Sequence, residues 1–303
     1  MSILLKAIMK HSCKALYELN DLEQEEYERG LIEFKHKVRK DSAPQEKIYK
    51  SMKVQKVHCK GGVFYRAIHR KYRSNKVVIF IHGGGFFLEA LNLHWEFCAR
   101  LAERTGCEII FPEYPLVPES DCIGAHEMLM DMYQKVFAKY PAKDITIMGD
   151  SAGGTLALST SIVARDKGLP LAKEIVLISP GFVVECDNEQ DERRLEEIKK
   201  HDFIIGQFPI GRIAKLWNGT NENILDESKK DVTKLPVEGL PRITMFSGTH
   251  EIMNLPARKY YKKLKACHHP CYYVERIGGL HDYALLPGFK KEFELIASRV
   301  MGN

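Results

Sequence analysis

Nowhere in the sequence is there an apolar run of about 18 residues, the length a membrane-spanning helix needs. No block of Lys and Arg dominates any segment. The 45 basic residues stand against 40 acidic ones, so the net charge of +5 is small and diffuse. That balance leaves no electrostatic footprint for nucleic acid. There is no internal repeat and no low-complexity tract, and collagen-like and coiled-coil compositions are absent too. No secretion signal is expected either: the run Ile3–Leu5 is broken by Lys6 and Lys10, too short for a signal-peptide core. The eight cysteines (13, 59, 98, 107, 122, 186, 267 and 271) are therefore expected as free thiols, and the chain as cytoplasmic. Cys267-His268-His269-Pro270-Cys271 has the look of a metal cluster, but no second ligand pair of matching spacing follows it. It reads as a loop with an ordinary thiol, and no metal is expected.

What is present is a globular composition. The 303 residues are 45% apolar and 28% charged, enough for one large domain or two small ones without a disulfide or metal staple. Residues 1 to about 50 read as charged helices with imperfect apolar spacing, at Leu16, Tyr17, Leu22, Tyr27, Leu31, Ile32 and Phe34. Two alternating runs, 52–59 and 62–69, meet at Gly61 and read as an antiparallel hairpin. From Lys76 onward, short apolar strands alternate with helices. Strands are expected at 77–81, 107–111, 145–148, 174–179, 242–247 and 271–277, and helices between and after them. That alternation predicts an α/β fold with a mostly parallel central sheet, covered by helices on both faces. The segment 182–236 breaks the pattern and is too long for a plain connection, so it is expected to fold over something.

The chemistry-bearing residues fall at the ends of these strands. Gly149-Asp150-Ser151-Ala152-Gly153-Gly154 follows a strand directly and opens a helix, the context that a G-x-S-x-G nucleophile turn requires. Such a turn strains the serine and lifts its hydroxyl above the sheet, with helix N-terminal amides behind it. The plain alternative is a glycine-rich turn with an incidental serine. His82-Gly83-Gly84-Gly85-Phe86 follows the strand at 77–81. Three glycines cost backbone entropy that a simple turn does not need. Their amides, with that of Ala152, suit a developing oxyanion. A phosphate loop fits less well, because no Lys-Ser/Thr pair follows. His82, ahead of the glycines, suits a loop-bonding role better than a catalytic one.

A serine nucleophile needs a base, and the base needs an orienting acid. On this type of sheet the chain order is serine, acid, histidine. His281 follows the last strand through Ile277-Gly278-Gly279-Leu280, at the strand ends where Ser151 also lies. His268 and His269 precede that strand, and His201 lies in the insertion. Glu251 is the only carboxylate in the loop after the strand at 242–247. Its plain alternative is a carboxylate that favours a helix N-terminus. Asp282 is its rival by proximity, although neighbours on a chain rarely place side chains for such a contact.

Taken together, HGGGF at 82–86, GDSAGG at 149–154, GTHEIM at 248–253 and GGLHDY at 278–283 resemble one family. This is the hormone-sensitive-lipase-like branch of the α/β-hydrolase superfamily, the bacterial esterase group. The resemblance covers about residues 75 to 303. EYPLVPES at 113–120 is similar to that family's Y-R-L-A-P-E segment, with Pro115 in place of Arg and Val117 in place of Ala. The acid is more often Asp in the family. The resemblance implies an α/β-hydrolase fold and carboxylic-ester hydrolysis without a cofactor, by Ser151, His281 and Glu251. Gly84 and Gly85 with Ala152 are then the oxyanion donors, Gly83 being a further candidate. It also implies a single domain over 1–303, with a cap built from about 1–50 and 182–236. The expected partner is a small ester, with no nucleic acid and no membrane span, and a homodimer stays open. Amide or peptide hydrolysis by the same residues, and a non-catalytic small-molecule binder on this fold, stand as alternatives.

Overall fold

The computed structural model describes residues 18–19, 22–38, 41–206, 210–219 and 231–302. Residues 1–17, with Leu16, Tyr17 and Cys13, lie outside them, as do Phe208 and residues 220–230 of the insertion.

Eight strands form one sheet: β1 (Met52–Cys59), β2 (Gly62–His69), β3 (Val77–Ile81), β4 (Glu108–Glu113), β5 (Ile145–Asp150), β6 (Glu174–Ile178), β7 (Arg242–Gly248) and β8 (Cys271–Arg276). Their order is β1-β2-β4-β3-β5-β6-β7-β8. β2 runs antiparallel to both its neighbours, and every other pairing is parallel. This is the expected α/β class, and the hairpin extends one side of the sheet as the turn at Gly61 predicts.

The apolar runs of the central strands have a direct cause. Every residue of β3, β5 and β6 is buried, because helices cover both faces. Side chains alternate between the faces. Val77, Ile79 and Ile81 join one core cluster, with Met128, Leu129 and Leu156. Val78 and Phe80 join the other, with Trp95, Phe97 and Leu101. The first cluster lies under α4 (Cys122–Lys139), α5 (Ser151–Asp166) and α8 (Asn254–Ala266), and the second under α3 (Asn92–Thr105) and α9 (Lys290–Met301). Gly106, in the left-handed conformation with φ 70°, caps α3 at its C-terminal end.

Strand register decides what the loops share. Ile81 pairs with Gly149, Asp150 with Ile178, and Gly248 with Arg276. The loops after β3, β5, β6, β7 and β8 therefore leave one edge of the sheet together.

Two helices of the N-terminal segment behave differently. α1 (Gln24–Val38) packs Tyr27 and Leu31 against Phe87, Val117 and Ile213, so it meets both the loop after β3 and helix α7 (Ile210–Asn218) of the insertion. α2 (Glu46–Ser51) instead buries Ile48 in the cluster under α3, away from that assembly. A further described helix of the insertion, α6 (Glu189–Lys199), places Leu195 and Ile198 on Ile252 and Met253, just beyond Glu251. No described helix is long and apolar enough to cross a membrane.

Candidate active site

Ser151 is the first residue of α5 and has φ 48°, a left-handed conformation that a β-carbon disfavours. The strain is held from several sides. Gly181 N–H donates to Ser151 O at 2.8 Å. The turn closes because its flanking residues have no side chains. A β-carbon on Gly149 would lie 2.3 Å from Gly153 O, and one on Gly153 would lie 2.0 Å from Ile81 O. Those neighbours are backbone and cannot swing away. Gly153→Ala is therefore expected to destabilise by about 3 kcal/mol or more, at the upper end of overpacking costs. Gly288→Ala, where nothing lies within 4 Å, is expected to change little. Urea unfolding of the two variants checks the contrast.

The loop after β3 runs through three consecutive positive φ values: Gly84 at 119°, Gly85 at 60° and Phe86 at 65°. Gly83 sits against the nucleophile turn, where a β-carbon would be 3.0 Å from Ser151 Cβ and 2.4 Å from Asp150 Oδ2. Ala152 lies in the first turn of α5, where helix amides have no partner within the helix. His82 has the loop-bonding place. Its Nδ1–H donates to Gly83 O at 2.7 Å, its carbonyl accepts from Tyr114 Oη at 2.9 Å, and its ring stacks on Tyr114. Tyr114 belongs to the EYPLVPES segment. In the same segment Glu119 pairs with buried Lys35 of α1 at 2.7 Å.

The structure brings Ser151, His281 and Glu251 into one line. His281 Nε2 is 2.9 Å from Ser151 Oγ, and His281 Nδ1 is 2.6 Å from Glu251 Oε2. His281 and Glu251 are buried. The other oxygen of Glu251, Oε1, accepts from Ser179 Oγ at 3.0 Å, Ser247 Oγ at 2.9 Å and Gly248 N at 2.6 Å. Three donors on one oxygen aim the second oxygen at the imidazole.

Several supporting residues carry no signal in the sequence. Asp202 of the insertion is buried. It accepts from Ile204 N, Ile205 N and, at 2.8 Å, from Ile252 N next to Glu251. It thereby ties the insertion to the acid loop. Ser179, at φ 43°, also accepts from Asp282 N at 3.0 Å, so one hydroxyl links the acid to the base's neighbour. Asp150 accepts from His94 Nε2–H at 3.0 Å, both side chains being buried. His94 Nδ1 accepts from Leu91 N, which fixes that tautomer.

Asp282 corrects the expectation that neighbouring side chains do not meet. Its Oδ2 lies 3.3 Å from His281 Nε2. The reason is the backbone, which has φ 57° and ψ 23° at Asp282. Glu251 stands at Nδ1, while Asp282 stands at the opposite nitrogen, on the side of Ser151. Burial pushes His281 down, but the charges of Asp282, Glu251 and Asp202 and the Glu251 hydrogen bond outweigh it and raise the imidazole to about 10. Burial raises Asp282 well above the usual carboxylate range, opposed by the charge of His281 and reinforced by those of Asp150 and Glu251.

Trp217 of α7 stacks on Phe86, next to Gly85 in the loop after β3, with centroids 4.2 Å apart. At the other histidines the chemistry is plain. His269 Nε2–H donates to Pro241 O, and His201 stacks on His250 at 4.5 Å. Cys267 and Cys271 are free thiols.

Residues 78–285 match the family described as alpha/beta hydrolase fold. The chain belongs to that family. It is 28% identical over 208 residues to an "Esterase" of Acinetobacter venetianus, which covers 67% of this chain and 65% of that protein. It is 25% identical over 196 residues to an "Acetyl-hydrolase" of Streptomyces hygroscopicus, covering 61% and 60%. The chain thus spans under two thirds of the length of these two relatives. Among solved structures, an esterase from the bacterial hormone-sensitive lipase family superposes with a TM-score of 0.75 at 18% identity, covering 99% of each chain. That likeness is one of fold, and it agrees with the resemblance carried by the four motifs.

Proposed function

We propose that the chain is a serine carboxylesterase acting on short- to medium-chain acyl esters. The observation that carries this reading is the unbroken line from Ser151 Oγ through His281 to Glu251. His281 Nε2 takes the hydroxyl proton as Ser151 Oγ bonds to the ester carbonyl carbon. The amides of Gly84, Gly85 and Ala152, with Gly83 alongside, stabilise the tetrahedral oxyanion. His281 returns the proton to the leaving alcohol oxygen, and the C–O bond breaks. Water, deprotonated by the same nitrogen, then attacks the acyl carbon; His281 Nε2 gives that proton to Ser151 Oγ as the Oγ–C bond breaks, and the carboxylic acid leaves a restored serine. Glu251 holds the proton on Nδ1, which keeps Nε2 open to the serine.

The whole chain acts as one unit in this reading. Helices α1, α6 and α7 are the described parts of the cap in this reading, with α1 packed on α7 and Trp217 of α7 stacked on Phe86 of the loop after β3. A site under a charged cap suits small soluble esters better than lipid droplets. With a p-nitrophenyl ester series, kcat/KM is expected to peak at short to medium chains and fall beyond them. A rate that keeps rising with long-chain triglyceride emulsions would overturn the substrate reading.

The base works only when neutral. Because His281 is raised to about 10, kcat/KM is expected to climb with pH through the neutral and alkaline range. A profile already flat above pH about 7, the limb an unperturbed imidazole gives, would contradict the charge arrangement around His281.

A further inference from the structure

Asp282 is not needed for the two-step chemistry, yet it stands where the chemistry ends. The leaving alcohol must come within hydrogen-bond reach of His281 Nε2 to receive its proton. Asp282 Oδ2 is 3.3 Å from that nitrogen, so the atoms carried by the leaving oxygen pass this carboxylate. The other oxygen, Oδ1, is buried and has no hydrogen-bond partner among the described residues. A carboxylate oxygen in that state has no donor to offset its negative charge. Among the described residues, His281 is the only ion-pair partner of Asp282. The charged groups acting on the pair come from every side of it. They are Asp150 at the end of β5, Glu251 after β7 and Asp202 in the insertion, all carboxylates. The Asp282 backbone is held by the bond from its N–H to Ser179 Oγ at 3.0 Å.

We propose that Asp282 is a specificity-determining residue that selects esters by the charge of their alcohol part, favouring a cationic alcohol and rejecting an anionic one. This rests on the esterase reading and names its substrate class. At about 6 Å, in a dielectric between those of protein and water, one unit charge changes binding on the order of tenfold. A cation also favours the ionised form of Asp282, which burial disfavours, so the preference grows as pH rises.

The test uses three butyrate esters of matched shape: a trimethylammonium-ethyl ester, its neutral 3,3-dimethylbutyl isostere and a carboxylate-bearing ester. kcat/KM is measured from pH 6 to 9 for the wild type, Asp282→Asn and Asp282→Gly. Both substitutions suit the left-handed backbone, and a fluorophosphonate label on Ser151 reports that each site is assembled. The readout is the ratio between substrates within one protein, not the absolute rate. The wild type is expected to prefer cation over neutral over anion, about tenfold per step, with the spread widening toward high pH. In both variants the ratios are expected to collapse toward unity and lose their pH dependence. Equal ratios in wild type and variants, or no charge preference in the wild type, would overturn the proposal while leaving the esterase reading intact. Failure of the wild type to hydrolyse any of the three, with no label on Ser151, would instead remove the esterase reading and the selection with it.

Discussion

Ser151→Ala is expected to lower kcat for a p-nitrophenyl butyrate assay on the order of 10⁶-fold, without loss of folding. The variant keeps the rest of the site: the base bonded to its acid, and the loop that presents the oxyanion amides. It loses the one atom that can form the covalent intermediate. A small residual rate over water is expected from binding and amide donors alone. The substitution also relieves little strain, since an alanine at φ 48° is as disfavoured as the serine it replaces. Thermal melting should therefore place the variant close to the wild type. A variant that turned over short esters at near wild-type rates, free of contaminating esterase, would mean that another group attacks the carbonyl.

Glu251→Gln is expected to be nearly as severe, with kcat falling on the order of 10⁴-fold. The reason is specific to how this carboxylate is held. Its Oε1 receives three donors, from Ser179, Ser247 and Gly248, while Oε2 faces the Nδ1 of His281. An amide cannot serve both ends. With its NH2 toward the imidazole, it donates to Nδ1, the ring proton moves to Nε2, and the base can no longer accept from Ser151. With its oxygen toward the imidazole, the NH2 meets three donors in a buried place, and at least one bond is lost. Glu251→Asp keeps the charge but shortens the reach, so a partial loss is expected there. Steady-state kinetics on the two variants, with circular dichroism to verify folding, separates the tautomer effect from misfolding. Equal losses for Gln and Asp would point to packing and not to the proton.

Much of this architecture was open to reading before any coordinates. The strands β3, β5 and β6 are buried on both faces, so their sequences are continuous apolar runs that stand out from the helices between them. The nucleophile turn was legible because its backbone geometry demands glycine at fixed offsets. The meeting of His281 and Glu251 with Ser151 is legible because a parallel sheet delivers every post-strand loop to one edge. Helix α6 was not. Its sequence EQDERRLEEIK buries only Ile198, so it carries no apolar period, and the insertion read as irregular. Asp202 and Ser179 left no trace either, since their roles depend on loops folding back over tens of residues. Asp282 was read by a rule that holds for extended and helical backbone. That rule fails at φ 57°, where the side chain turns back beside its neighbour's ring.

Ser151 Oγ is the proposed attacking atom. The most direct measurement is peptide mapping by mass spectrometry after brief exposure to a fluorophosphonate, alongside residual esterase activity. The predicted result is one adduct, on the peptide carrying Ser151, formed in step with the loss of activity and absent from Ser151→Ala. An adduct on a different residue, or full ester turnover by a protein that takes no label, would contradict it.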